Sequence, residues 1–166
     1  MPRFLRVGIR EGHWFTSPDI GWLPAGQLQA DVFLDLRTEG NRLSVFEVGD
    51  GDELDLIQRI AVAVAVGRKE PDHIGFTVFD RARVDGMGIE VQQTPGRTMD
   101  VAINQLHFDL LHLTAQQLMD LAGLIVTSEI DILYKPLLIQ LARAGIAVGR
   151  LDPANMTSEW RRAVAG

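Results

Sequence analysis

The chain contains no cysteine. That absence removes disulfides, thiolate metal ligands and thiol nucleophiles in one step, and it suits a protein kept in a reducing compartment, so a cytoplasmic, bacterial-type protein is expected. Long apolar runs are missing as well. The most apolar stretch, Ile60 to Val66, is far shorter than the roughly 20 residues that span a bilayer, and no membrane partner is expected. At the start of the chain Arg3, Arg6 and Arg10 interrupt the apolar residues, so this segment reads as a strand rather than a secretion signal.

Positive charge is scarce. Sixteen Lys and Arg against 22 Asp and Glu leave a net charge of -6, which disfavours nucleic acid as a partner, because phosphate contacts need clustered basic side chains. Between Arg97 and Lys135 there is no basic residue, while Asp100, Asp109, Asp120, Glu129 and Asp131 all fall in that span. By itself the run from Thr98 to Tyr134 cannot be a phosphate-binding surface. It is either a solvated acidic face or a docking surface for a basic protein.

Recognisable catalytic and cofactor motifs are also absent. Asp50-Gly51-Asp52-Glu53 starts like a calcium loop, but the required glycine does not follow. Gly86-Met87-Gly88 has neither the third glycine nor the amphipathic helix of a dinucleotide site. No phosphate loop, nucleophile elbow or paired zinc histidines occur, so no catalytic residue, metal or cofactor is assigned.

What is present is the material of a globular domain. Hydrophobic residues make up 46% of the 166-residue chain and prolines number 7, which predicts a single compact domain over 1–166. Strand patterns over Arg3–Ile9, Ile74–Phe79, Gly88–Gln92 and Leu106–Leu113 join a hairpin predicted from Asp31–Leu36 and Arg42–Val48. In the first of them Val7 and Ile9 are expected to share a face. A helix is predicted from Leu54, with Asp50 and Glu53 as its capping box, and a second after Thr114. Asp80 to Met87 reads as a turn or irregular link. Ser128 and Asp131 match another capping box, ahead of a helical pattern from Ile130 that Pro136 interrupts, either kinking the helix or starting a shorter one that runs to Ala144 with Gly145 as its stop. A short strand over Ile146–Leu151 and a last helical turn capped by Thr157 complete the pattern. The fold class expected is α+β, a mostly antiparallel sheet with helices packed on one face.

Two features are candidates for function. The irregular segment from Glu11 to Gln27 carries Trp14, Phe15 and Trp22, and aromatic rings on irregular backbone either plug a core or form a contact site. Within Leu106-His107-Phe108-Asp109, His107 and Asp109 point to the same side of a strand, where they form either a hydrogen-bonded structural pair or a polar pair able to orient a base or hold the edge of a metal site. His13, His73 and His112 offer no spacing that completes a metal site. The composition favours a noncatalytic acidic protein-binding domain, such as an inhibitor or immunity protein that neutralises a basic toxin, for example a nuclease. Its interaction residues would be Asp100, Asp109, Asp120, Glu129, Asp131, Trp14, Phe15 and Trp22. One alternative is a small enzyme or ligand-binding domain that uses His107, Asp109 and the Trp14 loop. Another is a homodimer or a subunit of a larger assembly.

Overall fold

The computed structural model describes residues 1–14, 21–49 and 54–166. Among these residues, six strands form one sheet: β1 (Arg3–Ile9), β2 (Leu43–Val48), β3 (Ile74–Asp80), β4 (Glu90–Gln93), β5 (His107–Leu111) and β6 (Ile130–Leu133). Their order is β4-β5-β2-β1-β3-β6, and every pairing is antiparallel. The described α-helices are α1 (Val32–Asp35), α2 (Leu54–Ala65), α3 (Arg81–Gly86), α4 (Ala115–Val126), α5 (Lys135–Ala147) and α6 (Ser158–Ala165). The chain is therefore an α+β fold built on an antiparallel sheet. None of these helices is long and apolar enough to cross a membrane.

The helices cover both faces of the sheet instead of the single face expected. The cause lies in the strands, whose neighbouring residues are apolar in both directions: Phe4 and Leu5 are each fully buried although adjacent strand residues point to opposite faces. A sheet with two apolar faces needs a layer on each. On the first face Leu5, Val7, Phe46 and Phe76 pack against α2, α5 and Trp160 of α6. On the second, Phe4, Val45, Phe79 and Leu110 pack against Val32 of α1, Val84 of α3, and Leu121 and Ile125 of α4. Val7 and Ile9 do not share a face. The register of β1 on β3 shifts between them, and Gly8, at φ 99°, is the extra residue that turns Ile9 into the second core.

Several expected elements take another form. Val32 to Asp35 is a short helix, not one arm of a hairpin, and β2 pairs with β1 and β5. The burial pattern gives the reason: Val32 and Leu36, four apart, are buried while Leu34 is 61% exposed, which is helical spacing. The link after β3 is helix α3, held by Arg81, whose guanidinium pairs with Glu47 and lies 5.5 Å from the rings of Phe4 and Phe108. Ser128 does not cap a following helix. Its hydroxyl donates to the Leu124 carbonyl at the end of α4, and Ile130 to Leu133 form edge strand β6. Helix α5 begins at Lys135 with Pro136 in its first turn, where the missing N–H costs nothing. It runs through Gly145 and into Ile146, which the short-strand pattern had claimed. A Cβ at Gly145 would meet the Leu151 side chain. The caps by Thr114, with its reciprocal partner Gln117, and by Thr157 are present. The predicted Asp50/Glu53 cap and the calcium-loop-like segment lie outside the described residues.

The tightest backbone approach occurs at Gly75 on β3, where an added methyl would overlap the carbonyl oxygen of Ile9. Since backbone rather than a flexible side chain is in the way, Gly75→Ala is expected to lower stability by about 2–3 kcal/mol, to be read from the midpoint of urea unfolding.

Candidate functional site

His107 and Asp109 do lie together. Both sit on β5, on the face that carries Phe46, and the His107 ring stands edge-on to Phe46 with centroids 5.2 Å apart. Helix α2 lies across β1, β2 and β3 on this face, and beside it the pair opens into a groove of about 470 Å³ lined also by Ser44, Thr94, Arg42 and Arg97. Thr94 arrives there because β4 pairs antiparallel with β5 and the chain continues alongside, the Thr94 amide donating to the His107 carbonyl.

The hydrogen bonds determine where the protons are. The Ser44 hydroxyl donates to Asp109 Oδ1 at 3.1 Å, and the Thr94 hydroxyl donates to Asp109 Oδ2 at 3.0 Å. Having given up its one proton, Thr94 Oγ1 can only accept from His107 Nδ1, 2.9 Å away, and the Thr94 carbonyl at 3.1 Å from Nδ1 can also only accept. Neutral His107 is thereby assigned the Nδ1–H tautomer, with its lone pair on Nε2. Nε2 stands 4.0 Å from Asp109 Oδ1, beyond hydrogen-bond reach. Ser44 donates to Asp109 rather than to the imidazole, and the Thr94 hydroxyl accepts from His107 instead of donating to it, so neither hydroxyl is held by a basic ring nitrogen as in a nucleophilic triad. Among the described residues there is no group of three His, Cys, Asp or Glu side chains placed to hold a metal.

The remaining predicted interaction residues do not join this pair. Asp100 is 3% exposed. It receives both Nε and an NH2 group of Arg59 at 2.5 and 2.7 Å, tying the segment before β5 to α2. Asp120 is exposed on α4, and Glu129 and Asp131 are exposed at β6, the edge of the sheet opposite the β4–β5 side. The five carboxylates therefore form no single surface.

Trp14 is buried in the second core, on the opposite face from His107, and its indole N–H donates to buried Asp35 at 2.9 Å. Asp35 also accepts the Arg10 amide at 2.8 Å and lies 3.2 Å from His13 Nδ1, so Trp14 plugs a core and contributes nothing to a pocket with His107. Trp22 is 72% exposed, and Phe15 lies outside the described residues. Sequence reasoning missed Thr94, Ser44, Arg42 and Arg97. The only signal was that Thr94 and Arg97 flank a Pro-Gly pair, which marks a loop but not what the loop faces.

No known protein family, curated protein or solved structure matches the chain.

The Arg59 guanidinium, chiefly through its hydrogen bonds, holds the Asp100 carboxyl below its ordinary range. A folded-state value below the unfolded one means that the pair stabilises the fold above the ordinary carboxylate pKa and loses this contribution as pH falls through the folded value. Asp100→Asn should be less stable than wild type at neutral pH, and the difference should shrink in acid. Urea unfolding of both proteins across that pH range checks it.

Proposed function

We propose that the chain is a ligand-binding domain whose groove holds a small polar molecule through Asp109 and His107. The observation that carries this reading is the 4.0 Å separation of Asp109 Oδ1 and His107 Nε2. Both atoms are acceptors in the tautomer that Thr94 imposes, and two acceptors facing one another gain only when a donor stands between them. A ligand amine about 2.9 Å from both, or two neighbouring hydroxyls each about 2.9 Å from one of them, satisfies both. In solution water serves the same purpose, and a ligand group that repeats its hydrogen bonds replaces it. The groove, at about 470 Å³, is in the size range of small-molecule sites.

The test is a thermal-shift screen of wild type and Asp109→Asn against anionic, neutral and cationic metabolites. At least one donor-bearing compound should raise the Tm of wild type alone, by roughly 2–4 °C for each kcal/mol of binding linkage, and should shift the His107 imidazole nitrogens. A panel in which no compound separates the two proteins overturns the reading.

A second reading keeps the noncatalytic, protein-binding role and its inhibitor or immunity type. Its support is a separate groove of about 590 Å³ beside α1 and α4, lined by Phe33, Met119 and Val126 together with Asp120. Phe33 and Met119 are 42% and 56% exposed, and exposed apolar side chains beside a carboxylate suit a basic protein with apolar anchors. Co-expression with neighbouring gene products should yield a basic partner that Asp120→Lys releases. If none of those products co-purifies, this reading fails.

A further inference from the structure

The groove around Asp109 does not end there. A second cavity of about 360 Å³ runs on from it beneath the last turns of α2, and the two share Ser44, Arg97 and His107 in their walls. Together they bring three arginines to the walls of one trough: Arg42 by Asp109, Arg97 on both cavities, and Arg6 at the inner end. Against these stand Glu39 and Asp109, and each oxygen of Asp109 already accepts a hydroxyl proton. The C-terminal end of α2 adds only a partial negative charge.

The three cations are not neutralised by the protein around them. Arg42 and Arg97 are exposed and make no side-chain hydrogen bond or ion pair among the described residues. Arg6 donates to the carbonyls of Ser44 and Asp35 at 2.8 and 2.7 Å, which are neutral acceptors, and its Nε is buried without a hydrogen-bond partner. Burial, only partly offset by the Asp35 carboxylate, pushes the Arg6 guanidinium down to about 10. A planar guanidinium fork matches a carboxylate or a phosphate in shape as well as charge. A cationic ligand would meet unpaired arginines on entry.

We infer that the ligand of this trough is an organic anion with neighbouring hydroxyls, its carboxylate or phosphate held by Arg97 and Arg42 while one hydroxyl donates to Asp109 and the next to His107. The inference rests on the reading of the groove as a ligand site and adds the chemical class. It also changes the meaning of the acidic run from Thr98 to Tyr134. That run supplies the acceptor Asp109, and the arginines come from β1, from the residue before β2 and from the segment after β4.

The experiment titrates the full 15N-labelled chain, at matched ionic strength, with glycerol phosphate, glycerate, glycerol and ethanolamine. The readouts are the backbone amides of Ser44 and Thr94, the imidazole nitrogens of His107 and the Nε–H of Arg97. Glycerol phosphate or glycerate should bind at least about tenfold tighter than glycerol, and which of the two binds better tells phosphate from carboxylate. The double variant Arg42→Gln/Arg97→Gln replaces exposed, unpaired side chains, so it should remain folded and lose that preference while keeping the glycerol response. Glycerol or ethanolamine acting as strongly as the anions, or a preference that survives the double variant, overturns the inference and leaves the ligand-site reading intact. It is equally overturned if none of the four probes moves the groove resonances, and the metabolite screen with Asp109→Asn then decides the ligand-site reading separately.

Discussion

Strand β1 is the constraint on which the rest of the molecule depends. It lies between β2 and β3, and its residues feed two cores at once, Leu5 and Val7 into one and Phe4 and Ile9 into the other. A strand buried on both faces forces the chain to provide a helical layer for each. Hence α2, α5 and α6 gather on one side and α1, α3 and α4 on the other. The Gly8 bulge sets the point at which β1 changes its allegiance, and the approach of Ile9 to Gly75 is its consequence on the neighbouring strand.

The polar groove exists at the limit of this cover. Where α2 packs, the sheet face is apolar; beyond it, the same face of β5 presents His107 and Asp109 to Ser44 and Thr94. One proton on the Thr94 hydroxyl organises the cluster, because donating it to Asp109 obliges His107 to donate from Nδ1 and leaves Nε2 as an acceptor. Asp100 lies in the same acidic run but has the opposite fate, closed off by the two-point contact of Arg59. Two aspartates nine positions apart thus differ in role through burial and partner, not through residue type.

Much of the fold was legible in the chain. β1, β3, β5, α2 and α4 form where their patterns place them, although the alternation of β1 breaks at Gly8, and Thr114 and Thr157 cap as their sequences indicate. The failures share a cause. Val32, Leu34 and Leu36 fit a strand until Leu34 is seen to face outward, and Ile130 to Leu133 fit a helix until they are found paired with β3. Short apolar segments carry too few residues to separate a period of 2 from one of 3.6, so the neighbours decide. The same holds for the candidate site. The His107/Asp109 pairing was legible because two strand residues of equal parity must share a face, but Trp14, placed beside them in the expected pocket, lies on the other side of the sheet.

By itself, then, the sequence determined the α+β class, the antiparallel sheet, the absence of thiol chemistry and the adjacency of His107 and Asp109, since each follows from composition, from the order of elements along the chain or from spacing within one element. Only the tertiary structure decided that helices cover both faces, that the acidic run is scattered across the fold, and that Arg42 and Arg97 gather beside Asp109 with Arg6 further along the same trough. Those are relations between segments far apart in the chain. They depend on strand order and on which face of the sheet each residue takes, and neither is written in any local pattern.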